Sequence, residues 1–275
     1  MFDSERSGNQ DIFVMRDDGT NVRQLTDAPG RDFEPNASDD GSLIVFVSDR
    51  FGGRGAQLYL MKPDGTEARR LTFSDSETLT VVDDYPHWSP DGRAIVFQRT
   101  TTSGSPSAVD ADIWLIDIQT GEETQLTDTP NAWDSTPSFS SDGQFILFES
   151  NRSGDFDLHR LDMETFSVEN LTDARGTDVE ASESPDGSQI VFASQRDGDF
   201  EIYLSDSDGG NVRKLTDNAV ADRCLHWSPD GKLIAFVSHD DGNRDIYVMN
   251  ADGSGVHRLT IAPGKDEVPN WLLES

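Results

Sequence analysis

The sequence of 275 residues repeats the same pair of short blocks six times. The first block is clearest in HWSPDGRAIVF, residues 87–97, and in HWSPDGKLIAF, residues 226–236. The second block has the form of DIYVMNADGSGVHRLT, residues 245–260. Distances inside each block are fixed, whereas the stretches between blocks vary in length, which is typical of hairpins joined by tolerant loops. A repeat of about 45 residues constrains the fold more than any other feature of this chain.

Each unit contains four short runs of apolar, β-branched or aromatic residues separated by turn signals, which predicts four strands, A to D. Strand A carries the Pro-x-Trp-Ser segment, an Asp-Gly turn leads into strand B, and strand D ends at Leu-Thr. Four-stranded units of this length are typical of β-propeller blades, and propellers have about four to eight of them. The sequence therefore predicts an all-β fold: a six-bladed β-propeller of four-stranded blades, with residues 1–275 as a single domain.

The two ends of the chain carry complementary parts of one unit. Phe2 stands at the end of a strand B, and VPNWLLES, residues 268–275, is a strand A with no strand B after it. Pairing these segments would complete one blade and remove exposed strand edges. We therefore predict a ring closed by pairing the N- and C-terminal segments in one blade. This blade is unit 1, and unit 6 contains Phe236.

The charge of the chain excludes several classes of partner. The formal net charge is −30, from 52 acidic and 22 basic residues. Such a surface repels nucleic acid and anionic membranes, so neither is a predicted partner. No apolar stretch is long enough to predict membrane insertion. The single cysteine, Cys224, excludes an internal disulfide, and we expect a monomer.

The motifs WSPDG, IAF, DIYVMNADG and RLT together resemble those of the TolB-like (WD40-like) β-propellers, over essentially residues 2–271. The resemblance implies a binding module with a protein partner and a periplasmic or extracellular location. Similar repeats also form gating propellers on serine peptidases and, in a few cases, metal-dependent polysaccharide lyases. The sequence has no Gly-x-Ser-x-Gly motif for a peptidase nucleophile.

All six units have an aspartate three residues before the proline position of strand A: Asp32, Asp83, Asp134, Asp178, Asp222 and Asp266. Because strand A is innermost in a propeller, these aspartates are predicted to surround one mouth of the central channel. Carboxylate oxygens suit Ca²⁺ or Mg²⁺, which are the candidate cofactors, and a basic peptide is the other candidate ligand.

The alternative, which the sequence leaves open, is that these aspartates are structural. Each would bond to local backbone or pair with an arginine four residues after the repeat phenylalanine, namely Arg6, Arg50, Arg152 or Arg196. Units 3 and 6 have Thr101 and Asp240 in that position. Asp83 and Asp222 are therefore expected to be the least compensated of the six.

The residue after the proline position is also predicted to line the channel: Asn36, His87, Ser138, Ser182, His226 and Asn270. Units 3 and 6 stand opposite each other in a six-fold ring, so the two histidines should face each other at a distance too large to share one metal. The candidate channel or partner-binding residues are His87, His226, Asn36 and Asn270, with Arg50 and Arg99. No catalytic residue is predicted. Glu183 replaces an aromatic residue of other units, for which the sequence offers no reason.

The sequence favours a non-catalytic TolB-like binding module, a protein–protein interaction scaffold that receives a cation or basic peptide at an aspartate-lined channel mouth. The alternative is an enzyme of the metal-dependent polysaccharide lyase type that uses the channel histidines.

Overall fold

The computed structural model describes residues 1–52, 55–73, 78–103, 109–239 and 242–273. These residues form 24 β-strands, and no α-helix occurs among them. None of the described segments is a helix long and apolar enough to cross a membrane. The all-β prediction is confirmed, and Asp240 lies outside the described residues.

The strands pair as six antiparallel sets of four, in the order A, B, C, D within each unit. From unit 1 to unit 6, the strands A are β24 (Asp266–Glu267), β4 (Asp32–Ala37), β8 (Thr80–Trp88), β12 (Asp134–Phe139), β16 (Asp178–Glu183) and β20 (Asp222–Trp227). The strands B are β1 (Phe2–Ser4), β5 (Ile44–Ser48), β9 (Ala94–Thr102), β13 (Phe145–Ser150), β17 (Gln189–Ser194) and β21 (Leu233–Ser238). The strands C are β2 (Asp11–Val14), β6 (Gly55–Met61), β10 (Val109–Asp117), β14 (Asp157–Asp162), β18 (Glu201–Asp206) and β22 (Asp245–Asn250). The strands D are β3 (Arg23–Gln24), β7 (Arg69–Arg70), β11 (Glu123–Gln125), β15 (Val168–Asn170), β19 (Arg213–Lys214) and β23 (His257–Arg258).

Units 2 and 3 are joined into one eight-stranded sheet, whereas the other units form separate four-stranded sheets. The joint is a short parallel pairing of β6 with β8, which places Gly55 opposite Val81. A Cβ on Gly55 would lie 1.8 Å from the carbonyl oxygen of Val81, and the φ angle of Gly55 is 110°. Only glycine fits this close approach of two backbones.

The segments at the two ends of the sequence share the sheet of unit 1. Strand β24 pairs with β1, with Asp3 opposite Glu267. Beyond the strands, the Asn270 amide donates to the Met1 carbonyl at 2.8 Å, and the Met1 ammonium donates to the Asn270 carbonyl at 2.6 Å. Burial lowers the pKa of this ammonium to about 5.

The six repeat phenylalanines form the centre of the core, and each is at most 1% exposed. In five units the ring contacts an aromatic or histidine ring on strand C, with centroids 5.6 to 5.9 Å apart. The pairs are Phe2 with Phe13, Phe46 with Tyr59, Phe148 with His159, Phe192 with Tyr203, and Phe236 with Tyr247. Burying an aromatic ring at this position in each unit stabilises the contact of strands B and C.

The Leu-Thr motif at the end of strand D has a structural role. In every unit the threonine hydroxyl accepts a hydrogen bond from a strand C backbone amide at 2.9 to 3.1 Å. The threonines are Thr26, Thr72, Thr127, Thr172, Thr216 and Thr260. A buried amide needs a partner, and the hydroxyl supplies it where strand D ends.

Candidate functional site at the channel mouth

One cavity is lined by strand A of units 2 to 6 and by Val268, which directly follows strand A of unit 1, and we call it the channel. Its volume is about 90 Å³, which is small compared with the roughly 300 Å³ or more of typical ligand pockets. In units 2 to 6 the pairing of strands A and B shifts register at this level, as between Asp84 and His87 in unit 3. The shift inserts one extra residue into strand A, which bends the strand and re-aims its side chains.

At this bulge in units 2 to 6, and at the equivalent position of unit 1, there is one non-glycine residue in the left-handed conformation, with φ between 44° and 57°. We call these six residues the mouth ring: Glu34, Tyr85, Thr136, Glu180, Cys224 and Val268. All of them line the channel, and Tyr85 is 39% exposed. Such conformations cost on the order of 1 kcal/mol or more each, so surrounding contacts must hold them.

Carboxylates from neighbouring strands supply some of those contacts. The Tyr85 amide donates to Glu34 Oε2 at 2.7 Å, and the Cys224 amide donates to Glu180 Oε2 at 2.6 Å. The Glu180 amide in turn donates to Glu149 Oε2 at 3.1 Å, and the Glu34 amide donates to Asp3 Oδ1 at 3.3 Å. Acidic side chains of one unit therefore fix the bulge of the next.

Four acidic groups near the mouth ring have raised pKa values, and we call them the mouth carboxyls: Asp3, Glu34, Asp84 and Glu149. Burial raises the pKa of Asp3 to about 7 and that of Glu149 to about 7. Burial, followed by the charge of Asp83, raises the pKa of Asp84 to about 8. Burial and the nearby Asp84 raise the pKa of Glu34 well above its ordinary value.

Two arginines pair with other acidic residues near the mouth ring, Glu180 and Glu267. Arg223 pairs with Glu180 at 2.8 Å, and Arg244 pairs with Glu267. Within the described ranges, none of the four mouth carboxyls makes an ion pair. Asp84 Oδ1 is also buried without a hydrogen-bond partner in the described part of the chain. The mouth therefore carries acidic groups that a cationic ligand would stabilise in their charged form.

The predicted channel residues lie two positions after the mouth ring along the sequence. His87, His226 and Asn36 line both the channel and the wider cavity on the opposite side, which Asn270 also lines. His87 Nδ1 lies 3.0 Å from the Trp88 carbonyl oxygen, and Asn270 Nδ2 lies 3.4 Å from His226 Nδ1. Burial lowers the pKa of His87 to about 4 and that of His226 to about 3. Both imidazoles are thus neutral at physiological pH, and their binding of a partner stays a prediction.

The six repeat aspartates are buried, with Asp32, Asp83, Asp134, Asp178, Asp222 and Asp266 each at 0% exposure. Four pair with the arginine that the structural alternative named, at 2.5 to 3.1 Å. These pairs are Asp266 with Arg6, Asp32 with Arg50, Asp134 with Arg152, and Asp178 with Arg196. No group of three histidine, cysteine or acidic side chains that could hold a metal is found among the residues described. The contacts favour the structural alternative, and Ca²⁺ or Mg²⁺ at these aspartates stays a prediction.

The expectation that Asp83 lacks compensation is wrong. Arg99, two residues after Phe97, replaces the missing arginine of unit 3 and pairs with Asp83 at 2.6 Å. Arg99 also pairs with Glu123 at 2.6 Å. Arg50 and Arg99, which the sequence suggested as partner-binding residues, are therefore engaged inside their own units, with side chains 19% and 13% exposed.

The structure also accounts for Glu183. In units 3, 6 and 1 a tryptophan indole donates to a backbone carbonyl of the preceding unit at 3.2 Å, as Trp88 does to Asn36. Glu183 lies in the equivalent position of unit 5, and its Oε2 accepts a hydrogen bond from the Ser141 amide of unit 4 at 2.7 Å. In unit 5, the hydrogen bond between Glu183 and Ser141 thus takes the place of the tryptophan–carbonyl hydrogen bond to the preceding unit.

Sequence reasoning missed the mouth carboxyls. Asp3 and Glu149 directly follow a repeat phenylalanine, where Val47, Ala193 and Val237 stand in other units. An acidic residue at a position that is apolar in three of the other four units, and Gln98 in the fourth, was the available signal. The raised pKa values come mainly from burial in the folded chain, which a linear pattern does not contain.

The inner strands around one channel define this chain as a β-propeller. Residues 1–109, 110–236 and 161–274 match the family model of the TolB beta propeller domain, so the chain belongs to that family. An uncharacterized protein of Agrobacterium fabrum is 33% identical over 138 residues, which is 50% of this chain and 42% of that protein. The Tol-Pal system protein TolB of Bordetella pertussis is 27% identical over 146 residues, which is 53% of this chain and 30% of that protein. The matches thus span less than half the length of these curated relatives.

Solved structures show the same fold. The crystal structure of TolB from Acinetobacter baumannii has a TM-score of 0.80 and 20% identity, covering 96% of this chain and 62% of that one. Similar folds include an enzyme, an oligogalacturonate lyase in complex with manganese, with a TM-score of 0.67, 19% identity and coverage of 93% and 72%. At these identities the likeness concerns the fold alone.

Proposed function

We propose that the protein is a non-catalytic binding module, a closed six-bladed propeller whose acidic mouth receives a basic side chain of a protein partner. The pairing of β24 with β1 and the channel lining shared by all six units support the closed ring. Its place in the TolB family supports a protein partner and a periplasmic or extracellular location.

The observation that carries this proposal is the set of mouth carboxyls without ion pairs in the described part of the chain. A lysine or arginine side chain placed among them would favour their charged forms and lower their raised pKa values. Binding should therefore release protons near pH 7. The channel volume of about 90 Å³ suits the end of one side chain better than a saccharide.

Isothermal titration calorimetry with a lysine-containing peptide tests this directly. At pH 7.5, in two buffers of different ionisation enthalpy, we expect binding accompanied by proton release. An acetyl-lysine version of the peptide should bind at least about tenfold more weakly, because it lacks the charge. The variant Asp84→Asn should weaken binding, whereas Asp252→Asn, at an exposed turn between strands C and D, should not.

Two results would overturn the proposal: equal binding of the acetylated peptide, or unchanged binding by Asp84→Asn. The lyase alternative has its own assay, since an enzyme would form unsaturated products from oligogalacturonate with Mn²⁺ present. Turnover that depends on His87 and His226 would establish the enzymatic alternative in place of the binding module.

A further inference from the structure

Five of the six units hold an arginine guanidinium in the same surroundings. One guanidinium nitrogen lies 2.5 to 3.1 Å from a carboxylate oxygen of the repeat aspartate. The central guanidinium carbon lies 4.9 to 5.3 Å from the ring centroid of the repeat phenylalanine. The five arginines are Arg6, Arg50, Arg99, Arg152 and Arg196. Aspartate and an aromatic face together bind a guanidinium by charge and by cation–π attraction.

Unit 2 shows the full arrangement. Arg50 donates to Asp32 Oδ2 at 2.5 Å and to the Ser48 hydroxyl at 3.0 Å. The guanidinium lies over Phe46 and Tyr59, at 5.2 and 5.1 Å from the ring centroids. One planar guanidinium thus donates hydrogen bonds to a carboxylate and a hydroxyl while it lies over two aromatic rings.

Unit 6 has the aspartate, the hydroxyl and the two aromatic rings of this arrangement, but its sequence has Asp240 in place of the arginine. Asp222 is fully buried, makes no ion pair within the described ranges, and has no hydrogen-bond partner there for Oδ1. Asn218 Nδ2 donates to its other oxygen at 2.7 Å, and the nearby Ser238 and Thr216 hydroxyls partly offset the effect of burial on its pKa. No described cation lies over the ring of Phe236. Burial raises the pKa of Asp222, as expected for a carboxyl with too little compensation.

A pocket of about 460 Å³ opens at this place. Asp222, Phe236, Ser238 and Tyr247 line it, and they correspond to Asp32, Phe46, Ser48 and Tyr59 around Arg50. Leu215 and Val220 contribute apolar walls from the neighbouring segment. Unlike the channel, this pocket lies at the first residue of strand A of unit 6, against the segment that follows strand D of unit 5.

We propose that the pocket of unit 6 binds the guanidinium of an arginine side chain presented by another polypeptide. The guanidinium would donate to Asp222 and to the Ser238 hydroxyl and would lie over Phe236, as internal arginines do in the other units. Lysine fits less well, because a compact ammonium cannot bridge the two acceptors in one plane. This site is independent of the ligand at the channel mouth.

Nuclear magnetic resonance titration of the whole chain with Nα-acetyl-arginine amide tests the proposal. Shifts should concentrate on amides around Asp222 and Phe236, and the neutral citrulline analogue should produce none of them. The lysine analogue should bind at least severalfold more weakly. Asp222→Asn should weaken the arginine analogue about tenfold or more, because the carboxylate is lost.

A second variant is designed to fill the pocket with an arginine side chain of the same polypeptide. Asp240→Arg restores the spacing of four residues after the repeat phenylalanine that Arg6, Arg50, Arg152 and Arg196 share. It should abolish binding of the arginine analogue and raise the melting temperature, a readout that does not depend on the ligand. Binding that survives both variants, equal binding of citrulline, or shifts that map elsewhere would each overturn the proposal.

Discussion

Removing one internal guanidinium should show how much these ion pairs contribute to stability. Arg50→Ala deletes the partner of Asp32, which is 0% exposed, together with the bond to Ser48. Breaking a buried pair from one side costs about 3 to 5 kcal/mol, because the remaining charge is buried without a partner. At roughly 2 to 4 °C per kcal/mol for a chain of this size, the melting temperature should fall by roughly 6 to 20 °C.

A surface pair provides the matched control. Arg31 pairs with Asp49 at 2.8 Å, but its side chain is 58% exposed, so Arg31→Ala should cost about 1 kcal/mol or less. Differential scanning calorimetry at pH 7.5 compares the two variants with the parent. Adding Asp32→Asn to Arg50→Ala should recover part of the loss, since it removes the unpaired charge. Equal effects of Arg50→Ala and Arg31→Ala, or no recovery in the double variant, would refute the reasoning.

Three further expectations concern the mouth, the contacts between units and the sheet of unit 1. The pKa of Asp84 is about 8 in the folded protein and about 4 in the unfolded chain, so its contribution is full below about pH 4 and lost as the pH rises through 8. Asp84→Asn should therefore gain stability relative to the parent from pH 5 to pH 9 in melting experiments, and a constant difference would contradict this. Glu183→Ala removes the acceptor for the Ser141 amide and should cost about 0.5 to 1.5 kcal/mol in chemical denaturation, with Glu183→Gln retaining most of the stability; equal losses would argue against the bond. Deleting residues 266–275 leaves β1 without its partner β24 and should lower the melting temperature and produce oligomers in size-exclusion chromatography; an unchanged monomer would show that this pairing matters little.

The repeat pattern predicted the strands well because a strand needs only local information. Alternating apolar residues, Asp-Gly turns and Leu-Thr endings mark the hairpins, and the hydrogen bonds of Thr26 and its equivalents explain the last of these. The pairing of aspartates with arginines was also accessible, because Arg50 follows Phe46 at a fixed spacing.

The candidate site was less accessible, because it depends on distances between units. The sequence did not reveal that Arg99 reaches Asp83 from a different position. It also did not reveal the raised pKa values of Asp3 and Glu149, which arise from burial at the mouth. A one-dimensional repeat shows which residues are equivalent, but it does not show which of them meet across the channel.

The bulge in strand A places one residue of the mouth ring outside the strand pairing that holds each sheet together. Its left-handed residue stands outside the regular ladder, between Phe33 and Asn36 in unit 2 and between Asp84 and His87 in unit 3. Six different surroundings already accept glutamate, tyrosine, threonine, cysteine or valine there. The side chains of Glu34 and Glu180 hold the bulge of the next unit, but at Tyr85, Cys224 and Val268 a new side chain would change what the mouth presents while the ladder on either side stays paired. Combinatorial substitution of these three positions therefore offers a route to propellers with new binding specificities.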